Sequence, residues 1–238
     1  EGVNKAILET EKKLANAEKV IVKDIEVIEK REKQWFEKYR WSFTRNNLLI
    51  IAGKDATTNE LIVKRYMEKN DLHFHTNIQG SAHVILKDGQ NANKDDLEDT
   101  AMIASIYSKA WNAGISSVDV YYVNPDQVSK TAQSGEFLSS GAFVIRGERN
   151  WFKKTTLEFC VGVVDINEEH LIMVGSKDSL VNHKAKLIWD LIPGTKSKSD
   201  ICNALLKEIK LANYKQFTVN DLLSVLPAGK FDFKNKKR

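Results

Sequence analysis

Tyr121-Tyr-Val-Asn-Pro-Asp-Gln-Val-Ser-Lys130-Thr-Ala-Gln-Ser-Gly-Glu-Phe-Leu-Ser-Ser140-Gly-Ala-Phe-Val-Ile-Arg-Gly-Glu-Arg-Asn150 is the stretch around which the chain is organised. Val118, Val120 and Tyr122 alternate as it begins, which predicts a strand. The middle is a loop of small hydroxyl residues around Lys130, Gly135 and Gly141. Ala142 to Ile145 predicts a second strand, which runs into Arg146 and Arg149. A loop held between two strands presents hydroxyls, backbone N–H groups and cations at a fixed place. Those groups grip phosphate oxygens. The competing reading is a solvated loop of turn residues.

Upstream, Asn47 to Gly53 predicts a short buried strand and residues 54–59 a polar turn. Glu60 to Tyr66 reads as a second strand and hairpin partner. Asp71 to Thr76 and Ala82 to Leu86 alternate with period two, and Gly80 lies between them. Asp95 to Ala113 predicts a helix, with an acidic first turn and a face of Leu97, Ala101, Ala104, Tyr107 and Trp111. Residues 1–40 read as one long helix. Ile7, Leu14, Ile21, Ile28 and Trp35 recur every seven residues, half of a coiled-coil seam. The aromatic run Trp35 to Trp41 needs a core to bury against. The chain opens at Glu1 inside that helix, so we expect a piece of a longer protein, with the partner helix upstream.

Downstream, Leu157 to Val164, Leu171 to Gly175 and Lys184 to Ile192 read as strands, the last closed by Pro193-Gly194. Asp200 to Leu211 and Leu222 to Leu226 read as helices, the second behind a Thr218–Asp221 capping box. The expected fold class is α+β. A long N-terminal coiled-coil helix (1–40) leads to a mixed β-sheet packed with helices (41–155). A small α+β C-terminal unit (156–229) and a disordered basic tail (230–238) follow.

The net charge is +4, and residues 230–238 hold five cations against one carboxylate. The rest is close to neutral, so any nucleic-acid binding comes from local patches. Cys160 and Cys202 have no paired spacing and read as buried thiols. No apolar run is long enough to span a membrane.

Four points bear on candidate chemistry. His73, His75, Asp71 and His83 could hold a metal, but nothing else has ligand spacing, so hydrogen-bonding or stacking histidines are expected. Ser129 and Lys130 are adjacent and point apart on an extended chain, which argues against a serine–lysine nucleophile. No phosphate-binding glycine loop or dinucleotide fingerprint occurs. The fourth is the cationic set Arg45, Lys54, Lys64, Arg65, Lys130, Arg146 and Arg149, interleaved with Tyr66, Phe74, Tyr121 and Trp151. Its composition supports phosphate contacts with base stacking. The bland alternative is ordinary surface cations near Glu60, Asp119 and Glu148.

These residues also carry a resemblance. Trp35-Phe36-Glu37-Lys38, Gly53-Lys54-Asp55-Ala56, Val63-Lys64-Arg65-Tyr66, Asp71 with His75, Gly80, and Ala110-Trp111 fit one pattern in order. Val128-Ser129-Lys130-Thr131-Ala132, Ser134-Gly135-Glu136 and Phe143-Val-Ile-Arg146-Gly147 with Asn150 continue it. From about 30 to 154 the chain resembles the NFACT-R domain of the NFACT family. Residues 1–30 resemble an arm of that family's middle-domain helical hairpin, and 156–229 resemble the C-terminal extension of archaeal members. Ala52, Asn77 and Gln79 depart from the family pattern.

The resemblance implies an RNA-binding module of a cytoplasmic ribosome-associated quality-control factor. Such factors bind the large ribosomal subunit carrying stalled peptidyl-tRNA and recruit tRNA for untemplated tailing. It implies tRNA or rRNA and the remainder of the polypeptide as partners, with no membrane, cofactor, metal or bond chemistry. The candidate RNA contacts are Lys54, Lys64, Arg65, His75, Ser129, Lys130, Thr131, Arg146 and Arg149. Two rival readings are a scaffold that docks on ribosomal proteins and a DNA-binding module.

Overall fold

The computed structural model describes residues 32–131 and 139–234. The heptad seam expected up to Ile28, the middle of the 121–150 loop and the last four tail residues lie outside the described residues. From Trp35 onward the chain forms one compact unit.

Its strands, in chain order, are β1 (Arg40–Phe43), β2 (Leu49–Ala52), β3 (Leu72–Thr76), β4 (Val84–Leu86), β5 (Ser117–Val123), β6 (Val128–Ser129), β7 (Val144–Ile145), β8 (Asn150–Thr156), β9 (Phe159–Ile166), β10 (Glu169–Gly175), β11 (Leu187–Ser197) and β12 (Lys230–Phe233). The helices are α1 (Ala56–Leu61), α2 (Lys94–Ile106), α3 (Lys109–Asn112), α4 (Lys177–Asn182), α5 (Lys198–Leu211) and α6 (Val219–Val225). Among the described residues one sheet runs β1-β2-β4-β3-β5-β8, a second runs β10-β9-β11-β12, and β6 pairs with β7 as a short ribbon.

The α+β class holds, but the first sheet is not mixed. Every pairing in it is antiparallel. The α2 crossover carries the chain from β4 to β5, and those two strands would run parallel as neighbours. They flank β3, which opposes both. The N-terminal helix does not reach residue 40. Trp35–Lys38 is a 3-10 turn, and Arg40 already pairs with Ala52. Phe36, Tyr39 and Trp41 are buried, as the aromatic run requires.

The largest local correction is Glu60–Tyr66. The run of Leu, Ile and Val predicts a strand, yet the segment is helical, α1 followed by a π-helical turn over Ile62–Tyr66. The reason is the start signal. Asp55 caps α1 by accepting from the Thr58 backbone N–H at 2.8 Å, and Thr58 Oγ1 accepts the Asp55 N–H at 2.9 Å. Ile62 and Val63 then bury one side while Lys64 and Arg65 face solvent.

The 95–113 helix is two helices. Asn93 caps α2, and Ser108 starts α3 by accepting from the Ala110 N–H at 3.2 Å. The turn between them still buries Tyr107, whose hydroxyl donates to the Val225 carbonyl at 2.5 Å.

In the second sheet, β11 continues past Pro193-Gly194 to Ser197. Both Pro193 and Lys196 face Phe231, so the proline sits at a bulge, where a missing N–H is tolerated. The expected disordered tail also begins as a strand. Lys230–Phe233 pair with β11 because Phe231 is fully buried and outweighs the surrounding charge. Cys160 and Cys202 are free and buried.

Trp111 joins the sheets. Its ring lies 5.1 Å from Phe159 and 5.4 Å from Phe231, within one core that takes residues from both. Its indole N–H is buried without a partner. Trp111→Ala should cost about 3–5 kcal/mol, the range for large aromatic truncations. Trp111→Phe should cost less, because it removes the orphaned donor and keeps most of the ring. Urea unfolding followed by circular dichroism checks both, and one transition is expected because the core is shared.

Candidate nucleic-acid interface

The 121–150 loop is fastened by a carboxylate. Glu60, on α1, accepts from Lys64 Nζ at 2.6 Å through one oxygen. Its other oxygen takes Lys130 Nζ at 3.2 Å and the Gly141 N–H at 3.3 Å. Lys130 Nζ also donates to the Ala142 carbonyl at 3.0 Å and lies 5.0 Å from the Phe143 ring centroid. Three donors hold the Glu60 carboxyl down to about 2, with the Lys64 contact the largest cause. Gly141 has φ +75°, and a Cβ there would lie 2.6 Å from Ala56 Cα. The loop therefore lies directly on the start of α1.

Beneath it are three imidazoles. His73 Nε2 and His83 Nδ1 are 2.8 Å apart, and the His75 and His83 rings are 4.5 Å apart. Burial pulls all three below the ordinary histidine value, His73 to about 3, so they are neutral at pH 7. The expected hydrogen-bonded and stacked histidines are present. His75 Nδ1 also meets the Thr76 carbonyl at 2.5 Å.

Between this loop, the start of α1, the 77–82 turn and α3 lies a cleft of about 600 Å3. Arg40, Lys54, Lys109, His75, His83 and Tyr121 are among the residues that line it. Arg40 stacks over the Tyr107 ring at 4.4 Å. Lys54 Nζ donates to the Lys38 carbonyl at 2.8 Å. Gly80 has φ +77°, and a Cβ there would lie 2.6 Å from Lys109 Nζ. The glycine thus clears the path by which Lys109 reaches the cleft.

Beside the cleft, a strip of cations and aromatic rings follows β5 and the outer strand β8. Arg149 lies 4.7 Å from the Tyr121 centroid, and Tyr121 meets Trp151 edge-on at 5.1 Å. Lys153 lies 4.0 Å from the Trp151 centroid and pairs with Asp119 at 3.0 Å. Arg146 is exposed and donates to the Thr131 carbonyl at 3.2 Å.

The sequence-derived residues thus fall in three places. Lys54 and His75 line the cleft. Arg146 and Arg149 lie beside it, the latter through Tyr121. Lys64 and Lys130 hold Glu60, exposed Arg65 follows Lys64 on the π-helical turn, and Ser129 Oγ accepts the Thr131 N–H at 3.0 Å. Arg45 is elsewhere, clamped on Asp99 at 2.8 Å. Sequence reasoning misses Arg40 and Lys109. Arg40 falls in the stretch that reads as helix, and Lys109 gives no signal beyond the Gly80 against which it lies.

A family model described as "NFACT protein RNA binding domain" matches residues 38–147, the segment that contains the loop, the cleft and part of the strip. The chain belongs to the NFACT family. Its NFACT relatives include the archaeal Rqc2 homolog aRqcH of Methanocaldococcus jannaschii, 40% identical over 84% of this chain and 29% of that protein. The ribosome quality control complex subunit NEMF homolog of Drosophila melanogaster is 40% identical over 62% of this chain and 15% of that protein. NEMF of Homo sapiens is 35% identical over 66% of this chain and 15% of that protein. The chain thus spans less than a third of the length of these relatives.

The Glu60 clasp has an acid limit. A carboxyl held below its ordinary value stabilises the fold at neutral pH, and that contribution is lost as pH falls from about 4.5 toward 2. Wild type should lose stability across this window more steeply than Glu60→Gln, which cannot titrate. Thermal midpoints at half-unit pH steps measure the difference.

Proposed function

We propose that this chain is the RNA-binding segment of a ribosome-associated quality-control factor. The observation that carries the reading is the cation–aromatic strip, Arg149 on Tyr121 beside Trp151 and Arg146, within the segment matched by the NFACT RNA-binding model. Guanidinium groups neutralise phosphates, and the half-buried Trp151 ring offers a stacking surface to an unpaired base. Three relatives are named for ribosome quality control or its Rqc2 component, which supports the wider setting.

In that setting the partners are the large ribosomal subunit with stalled peptidyl-tRNA, and tRNA or rRNA. The whole factor would recruit tRNA for untemplated tailing in the cytoplasm. This segment would act as a binding module and perform no bond chemistry. Lys130 and Lys64 would contribute by holding the loop through Glu60, while Arg146, Arg149 and Lys54 face the nucleic acid.

The test is tRNA binding by fluorescence anisotropy over a salt series. Arg146→Ala with Arg149→Ala should lower affinity and reduce the log–log salt slope by about 1.4–1.8, at about 0.7–0.9 for each phosphate no longer neutralised. Unchanged affinity would show that the strip is not the surface. Equal competition by duplex DNA would favour a DNA-binding module. Retention of large-subunit binding by the double variant would favour docking on ribosomal proteins.

A further inference from the structure

The cleft has features that the strip does not need. Three cations line it, Arg40, Lys54 and Lys109, against one carboxylate, Asp55. That carboxylate is committed to capping α1, with Thr58 N–H at 2.8 Å and Thr58 Oγ1 at 2.9 Å. Arg40 is partly buried and has no ion pair among the described residues. Its positive charge is thus partly withdrawn from water, offset only by the Tyr107 ring and by Asp55 acting from beyond contact distance, an arrangement that an anion would complete. Lys109 reaches in over Gly80.

The remaining lining is uncharged and rich in rings. The His75 and His83 rings, with Tyr121 and Phe143, present ring edges and faces. Burial keeps the imidazoles neutral, and their nitrogens meet His73 and the Thr76, Ser81 and Gly141 backbone, so they give the cleft ring surface without adding charge. About 600 Å3 lies within the range of pockets that take small ligands. Cations beside a ring-lined floor match a nucleotide, with phosphate to the cations and base to the rings. Tyr121 belongs to both the cleft and the strip, so a strand lying along β8 could turn one residue into the cleft.

We propose that this cleft receives a single unpaired nucleotide, with Arg40 and Lys109 taking its phosphate and the His75–His83–Tyr121 floor taking its base. This deepens the RNA-binding reading and rests on it. The nucleotide is either an unpaired residue of an RNA chain or a free mononucleotide.

The experiment uses two RNA hairpins of identical stem, one blunt and one with a single unpaired 3′ adenosine, and AMP as a third probe. Wild type should bind the overhanging hairpin about tenfold tighter than the blunt one, within the range expected for placing one stacked base. Lys109→Ala and Arg40→Gln should each cut that preference at least threefold, and Lys109→Arg should restore it. Thermal melts confirm that the variants fold. Arg146→Ala, which leaves the Arg149–Tyr121 contact in place, should weaken both hairpins in parallel and leave the ratio unchanged. Equal affinity of wild type for the two hairpins, or a preference untouched in both cleft variants, overturns the proposal. If neither hairpin binds, the RNA-binding reading fails. AMP binding abolished in Lys109→Ala would then still support the cleft as a nucleotide site, and absence of AMP binding would overturn it.

Discussion

The site depends on the Glu60 carboxylate. One side chain gathers Lys64 from its own helix, Lys130 from the β6 end of the loop and the Gly141 N–H from the return. Those groups come from segments up to 81 residues apart in sequence. Without a shared anion, two ammonium groups and a backbone donor would have no reason to converge. With it, the loop is pinned on α1 and forms one wall of the cleft. The lysine at the heart of the most family-like motif is therefore a positioning group. Phosphate contact is proposed for the cations around it.

The clasp needs a firm base, and the antiparallel sheet supplies it. β3 and β4 carry the histidine floor, and Asn59 accepts the His83 N–H at 3.0 Å, which ties α1 to β4. On the far side the same unit is braced by Trp111 between Phe159 and Phe231. Ser42 Oγ donates to the Val174 carbonyl at 2.6 Å, and Ser179 Oγ donates to the Phe43 carbonyl at 2.6 Å. The first bond joins β1 to β10 of the second sheet, and the second joins it to α4. Residues beyond 156 thus help hold β1, the strand that carries Arg40, and through it one wall of the cleft.

Much of this is legible in the sequence. Period-two alternation locates β3, β4 and β5, Leu171 to Gly175 reads as a strand and forms β10, and the turn residues locate the loop. What fails has physical causes. Glu60–Tyr66 looks like a strand because its apolar residues suit one, while the helix is signalled by Asp55 and Thr58, three residues apart. Phe231 is hidden in a basic run whose charge argues for disorder, yet one fully buried ring decides the matter. Pro193 looks like a terminator because a bulge depends on its partner strand. At the site, the sequence shows the cations but not their commitments. Nothing local shows that Lys130 faces Glu60, that Arg45 is clamped by Asp99, or that Arg40 and Lys109 line one cleft.

The central claim is that RNA lies along β5 and β8 and enters beside the Glu60-clasped loop. Ultraviolet crosslinking of the chain to large ribosomal subunits carrying tRNA, with crosslinked peptides mapped by mass spectrometry, tests it most directly. Crosslinks are predicted at Tyr121, Trp151 and the 139–149 segment. Crosslinks confined to α4, α5 and α6, with none on that strip, would contradict it.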